Sequence, residues 1–193
     1  VGFTQAELEA FRDTEVPDLL PGPGQPLRLL FVGINPGLWT AATQTHFARP
    51  GNRFYPALQR AGIVERRIDP ATGMTDDDRE HLRSRGIGIT NVVRRATARA
   101  SELTPEEYAE GGARLRDLVD RVQPTVVAVA GVTAWRAAYR QPKARAGRQP
   151  DDWGTTQVWV VPNPSGLNAH DTVETLAAAY AEPARAAGLL GPG

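Results

Sequence analysis

Leu27-Arg28-Leu29-Leu30-Phe31-Val32-Gly33-Ile34-Asn35-Pro36-Gly37 decides the fold class. Residues 27–32 form a short apolar run bounded by turn signals, which is the pattern of a buried strand. The run ends in Gly-Ile-Asn-Pro-Gly. Pro36 removes a donor, fixes the chain and keeps Asn35 extended. Three further strands are read at Ile87 to Val93, Thr125 to Ala130 and Gln157 to Val161, the last stopped by Pro162.

Helical patterns lie between them. Thr4-Gln5-Ala6-Glu7 reads as a capping box opening a helix to about Asp13. Asn52 to Ala61 has helical spacing, and Thr75 caps a helix ending near Gly86. Thr104-Pro105-Glu106-Glu107 starts a helix to about Val122, with proline first and acids in the first turn. Shorter helices follow at Gly131 to Tyr139 and from Asp171 or Thr172 to about Ala187. Pro17 to Pro26, Gly33 to Pro50 and the polar stretch 141–154 read as loops, and 65–75 as irregular. Helices alternating with short apolar strands predict an α/β layered domain with a mainly parallel sheet and helices on both faces. No repeat or linker divides the chain, so 1–193 is expected to be one domain, with 1–26 as an N-terminal helix and loop extension.

Composition removes several functions. There is no cysteine, which excludes a disulfide scaffold, a thiolate zinc site, an iron–sulfur cluster and a cysteine nucleophile. His46, His81 and His170 lack metal-ligand spacing. No run approaches a membrane span, and Val1-Gly2-Phe3-Thr4 is not a secretory start. A cytoplasmic, bacterial, monomeric protein is expected. The excess of Arg, Ala, Gly and Pro reads as codon bias of a GC-rich genome.

Net charge is zero, with 22 basic and 22 acidic residues. The signs are nevertheless segregated. Residues 21–60, 81–100 and 121–150 carry bases and no acid. Such blocks either converge into a face for a phosphate backbone or remain ordinary solvated helix faces.

In parallel α/β sheets a ligand sits beyond the carboxyl ends of the strands. Two loops stand there with Asn-Pro directly after a strand: Gly33 to Gly37 and Asn163-Pro164-Ser165-Gly166-Leu167. Each offers free N–H groups and one carboxamide on a rigid rim. Between them, His46-Phe47-Ala48-Arg49-Pro50-Gly51-Asn52-Arg53-Phe54 mixes aromatics with arginines, and Phe47 in the loop suits stacking on a planar ligand. Phe54 and Tyr55 read as core.

These three motifs, with Gly88-Ile89-Thr90-Asn91 and Gly111-Gly112, resemble the uracil-DNA glycosylase superfamily in its mismatch-specific G:T/U branch. Order and spacing hold from about Leu27 to Tyr180. The resemblance implies a three-layer α/β/α sandwich with a central four-stranded, mainly parallel sheet. It implies excision of uracil, and of thymine or other modified bases, from G:U and G:T mismatches in double-stranded DNA, with no metal or other cofactor.

It also implies roles. Asn35 would position the attacking water. Ile34, Gly37, Phe47 and Asn91 would form the base pocket, with Phe47 stacking on the base. Leu167 would be the wedge pushed into the vacated stack, with Gly166 and Asn168 facing the orphaned guanine. Asn163, Ser165, Arg49 and Arg53 would hold sugar and phosphates. Asn168-Ala169-His170 departs from the Ser-Arg that relatives often carry, so an arginine bracing the guanine side is missing. Trp39 is open between the pocket mouth and the core. Two other readings are a non-catalytic damaged-DNA or nucleotide-binding module of the same fold, and an unrelated nucleotide-binding enzyme using Gly33 to Gly37 as a phosphate loop. The second lacks the glycine-rich phosphate patterns.

Overall fold

The computed structural model describes residues 2–191. Its sheet has the order β2-β1-β3-β5-β4, with β1 Leu29–Gly33, β2 Ile87–Asn91, β3 Val126–Ala130, β4 Gly147–Arg148 and β5 Gln157–Val161. The four strands expected from the sequence run parallel. A fifth strand is a correction to the four-stranded expectation. β4 lies within the stretch 141–154 read as loop, and pairs antiparallel with β5 through Gly147 opposite Val160 and Arg148 opposite Trp159. Two residues carry no periodicity of their own, so only the edge of β5 makes them a strand.

Seven α-helices and a short 3-10 helix, Ala100–Glu102, complete the described chain: α1 Gln5–Glu9, α2 Leu38–Thr43, α3 Phe54–Arg60, α4 Asp76–Ser84, α5 Pro105–Val122, α6 Val132–Tyr139 and α7 Val173–Ala186. The capping box read at Thr4 forms, and the helix starts read at Thr75 and Thr104 prove to be capping boxes as well. α2 is a second correction, since Gly33 to Pro50 was expected to be loop throughout. No side chain caps its N-terminus at Gly37. It is held by burial, with Leu38 and Ala41 packed on Val16 and Ala96 from distant segments.

Strand alternation sorts the core into two layers. Leu29, Phe31, Ile87, Ile89, Val126 and Ala128 meet Phe54, Leu58, Leu82, Leu176 and Tyr180 of α3, α4 and α7. Leu30, Val32, Val127, Val129, Val158 and Val160 meet Leu115, Val119 and Trp135 of α5 and α6. The result is an α/β/α sandwich, as expected. Gly111 lets α5 approach the end of β2, because a Cβ there would lie 2.4 Å from the Val92 carbonyl oxygen. The N-terminal segment is stitched to the β2 edge, where Leu19 and Ile89 exchange backbone hydrogen bonds at 2.9 and 2.7 Å. Among the described residues, no helix is long and apolar enough to cross a membrane.

The chain passes from β1 to β2 on one side and then to β3 on the other. A crevice therefore opens at the carboxyl ends of β1 and β3, as such strand-order reversals produce.

Candidate active site

A cavity of about 570 Å³ occupies that crevice. Ile34, Asn35, Gly37, Phe47, Asn91, Arg49, Asn163, Ser165, Leu167 and Asn168 all line it. The fold thus gathers three sequence motifs into one site. Gly166 and Arg53 lie outside the lining. Thr40 and Asn52 complete the wall, and Ala130 and the run Thr97 to Ser101 join it without having been singled out in the sequence.

Asn35 follows β1, and its side chain is held in one orientation. Nδ2 donates to the Arg95 carbonyl at 2.9 Å and to the Thr97 hydroxyl at 2.8 Å. Thr97 donates its own proton to the Arg99 carbonyl at 2.9 Å, so toward Asn35 it accepts. Both amide protons are engaged, and Oδ1 is left as an acceptor. The backbone N–H groups of Asn35 and Gly37 donate to no partner among the described residues.

Phe47 packs at the base of the cavity. Its φ of +57° is left-handed, an unfavourable conformation for a bulky residue. A stack on Phe54 holds it, with ring centroids 4.0 Å apart and planes at 25°. Phe54 is fully buried and belongs to the core, as read. Gly33 sits under this group. A Cβ on it would lie 2.5 Å from Asn91 Oδ1 and 3.2 Å from the Phe47 ring, so the floor requires glycine.

Asn91 ends β2 and is buried. Its Nδ2 lies 3.2 Å from His46 Nδ1, and His46 Nε2 lies 2.9 Å from the Pro17 carbonyl oxygen. Burial lowers the basicity of His46, against the Pro17 hydrogen bond and the Asp18 charge, which favour the cation.

The third motif is a compact loop at the rim. Asn163 Oδ1 accepts from Ser165 N–H at 3.0 Å, and Asn168 Nδ2 donates to the Asn163 carbonyl at 3.0 Å and to Asp171 at 2.8 Å. Leu167 projects from it with 74% of its surface exposed, the only large apolar side chain so exposed among the described residues. Arg53 braces this loop. Its guanidinium donates to the carbonyls of Ser165, Asn168 and Asp171, and its backbone N–H donates to the Pro164 carbonyl. These contacts turn Arg53 away from the phosphate path expected for it. His170 is exposed beside the loop. Trp39 does not line the cavity; its indole donates to the Ala71 carbonyl at 3.0 Å and meets Phe3 edge-on.

The first two basic blocks each bring one arginine to the cavity wall, Arg49 and Arg99, while other bases of the second block are paired with acids. Arg85, Arg94 and Arg95 pair with Glu65, Glu15, and Asp13 and Glu107. No residue of 121–150 except Ala130 lines the cavity. Only Arg49 and Arg99 bring charge to its wall, and no acid is present there. Neither guanidinium has a hydrogen-bonding or ionic partner among the described residues. Asp13 and Glu15 of the N-terminal segment neutralise part of the second block at Arg95 and Arg94.

A carboxamide acceptor, free backbone donors, an aromatic side chain and two unpaired arginines thus share one cavity, a set of groups suited to a planar ligand carrying negative charge. The sequence model of the uracil DNA glycosylase superfamily matches residues 21–183, and the chain belongs to that superfamily.

Proposed function

We propose that the protein is a monofunctional DNA glycosylase that flips uracil, and thymine or other modified bases, out of G:U and G:T mismatches and hydrolyses the N-glycosidic bond. Excision of this kind starts base excision repair. The observation that carries the reading is Asn35, a lining residue of the cavity whose two amide protons are engaged, leaving Oδ1 as its acceptor.

A base inside a duplex is out of reach, so the nucleotide must leave the stack. A mispaired base costs less to extrude, which favours mismatches. Leu167 at the rim fills the gap, and its loop backbone at Gly166 and Asn168 faces the orphaned guanine. Phe47 stacks on the extruded base. Arg49 and Arg99 hold flanking phosphates, and Asn163 and Ser165 lie beside the sugar.

Asn35 Oδ1 accepts a hydrogen bond from the attacking water and so turns the water's oxygen lone pair toward the sugar carbon. A carboxamide is too weak a base to remove the water's proton outright. Bond breaking therefore runs ahead of attack, through an oxocarbenium-like sugar and an anionic leaving base. The free N–H groups of Asn35 and Gly37 stabilise the departing base, as fixed dipoles do where charge develops.

The test is a base-release panel. Duplexes carrying uracil, thymine or modified bases opposite each normal base are incubated with wild type and Asn35→Ala, then cleaved with alkali. Strand breaks opposite guanine with wild type, and their loss in Asn35→Ala with DNA binding retained, are expected. Tight mismatch binding without release from any substrate would instead establish a non-catalytic damage-binding module.

A further inference from the structure

We propose that His46 decides which base edge the cavity reads, by fixing the direction in which the Asn91 carboxamide points. This rests on the glycosylase reading and extends it to the substrate class.

The argument follows the protons. The Pro17 carbonyl can only accept, so His46 Nε2, 2.9 Å away, carries the hydrogen. A neutral imidazole has one N–H, which leaves Nδ1 with a lone pair. Nδ1 then accepts from Asn91 Nδ2 at 3.2 Å. The Asn91 amide nitrogen is thereby turned to His46, and Oδ1 lies over Gly33 at the cavity floor. That oxygen accepts from no group among the described residues.

In this pose Asn91 offers an acceptor and its second N–H side by side. The matching edge is a lactam, with a ring N–H next to a carbonyl, as in uracil and thymine. The cytosine edge has the reverse order, a ring acceptor next to an amine. It would meet oxygen against nitrogen lone pair and hydrogen against hydrogen. A carboxamide is nearly symmetric in shape, so packing alone does not choose between its two orientations; His46 does.

The choice holds while His46 is neutral. A cation would carry hydrogen on both nitrogens, turn Asn91 Oδ1 toward itself and reverse the edge. Burial opposes the cation. Behind the ring lies a cavity of about 200 Å³ lined by Asp18, whose charge favours the cation, by Arg79 and Arg83 of α4 and by Tyr55 of α3. The Tyr55 hydroxyl also holds the His46 backbone carbonyl at 2.9 Å, so the ring is fixed from its main chain.

The test uses two bases with the same ring substituent and opposite edges, 5-fluorouracil and 5-fluorocytosine, each opposite guanine. Wild type is expected to prefer 5-fluorouracil. His46→Phe keeps an aromatic ring without an acceptor and frees Asn91 to turn. The preference should then fall about tenfold, the scale of one discriminating hydrogen bond. A purely structural role would slow both substrates alike, and an unchanged ratio overturns the inference. Nitrogen-15 histidine NMR of wild type gives a second reading that needs no activity. The resonances missing from His46→Phe or His46→Gln identify the ring, which should be protonated at Nε2 and bare at Nδ1; the opposite tautomer overturns the inference. If wild type releases neither base, the glycosylase reading fails while the tautomer result still stands. If it releases 5-fluorouracil and the ratio survives His46→Phe, only the role of His46 fails.

Discussion

The Asn35 amide nitrogen lies 2.8 Å from the Thr97 hydroxyl, whose own proton is committed to the Arg99 carbonyl. Thr97 therefore acts on Asn35 only as an acceptor. Thr97→Val removes that acceptor and leaves one anchor, the Arg95 carbonyl. Single-turnover base release should slow about tenfold, the scale of one hydrogen bond, with DNA affinity unchanged. Thr97→Ser should retain wild-type rates. Equal rates for Thr97→Val and wild type would show that the carboxamide needs no such anchor.

Leu167 contributes little to folding because it is 74% exposed. Leu167→Ala should leave the melting temperature within about 1 °C of wild type, as surface changes do. Excision from duplex DNA should fall, while excision from single-stranded DNA, where no gap needs filling, should change much less. Equal losses on both substrates would remove the wedge assignment.

Arg53→Met should loosen the rim. Three backbone carbonyls lose their donors, at Ser165, Asn168 and Asp171. The cost is on the order of 1–3 kcal/mol for groups left unsatisfied. Hydrogen exchange should rise in residues 163–171, and mismatch discrimination should weaken with it. Unchanged exchange in that loop would show the brace to be dispensable.

Arg49 and Arg99 are the charged residues of the cavity wall. Each neutralised phosphate releases counterions, so Arg49→Ala and Arg99→Ala should each reduce the slope of log affinity against log salt by about 1. Lys143→Ala, outside the cavity, should not. Identical slopes for all four proteins would remove both arginines from the phosphate path.

Stability should depend on pH through His46. Burial lowers its pKa, so the unfolded chain takes up the proton first as pH falls. Between its lowered folded pKa and the unfolded value near about 6.5, stability should drop with falling pH, by at most about 1.4 kcal/mol per pH unit for this one group. Urea unfolding from pH 7.5 to 5 would show the drop, and His46→Gln should lessen it. An equal slope in the variant would place the effect elsewhere.

Much of the scaffold is legible in local chemistry. Leu29 to Val32 alternate between the two core layers because successive strand residues face opposite ways. Thr75 and Thr104 announce their helices because a hydroxyl before the first turn satisfies a free N–H. By contrast, α2 has no capping side chain at Gly37, and β4 is two residues long, so each exists only through partners distant in the chain.

The site divides in the same way. The motifs around Asn35, Phe47, Asn91 and Leu167 stand in the sequence at strand ends and in the loops between them, and their residue types already suggest a base-binding chemistry. Hydrogen-bond direction does not stand there. Asn35 meets Thr97 across 62 residues, Asn91 meets His46 across 45, and Arg53 reaches Asn168 across 115. An asparagine is an acceptor or a donor according to what holds its other end, and an arginine is a phosphate ligand only if no carbonyl has claimed it. The sequence by itself determined the layers and the residue types of the site. The tertiary structure decided which atoms of those residues remain free, because each polar group has few bonds to give and distant neighbours take them first.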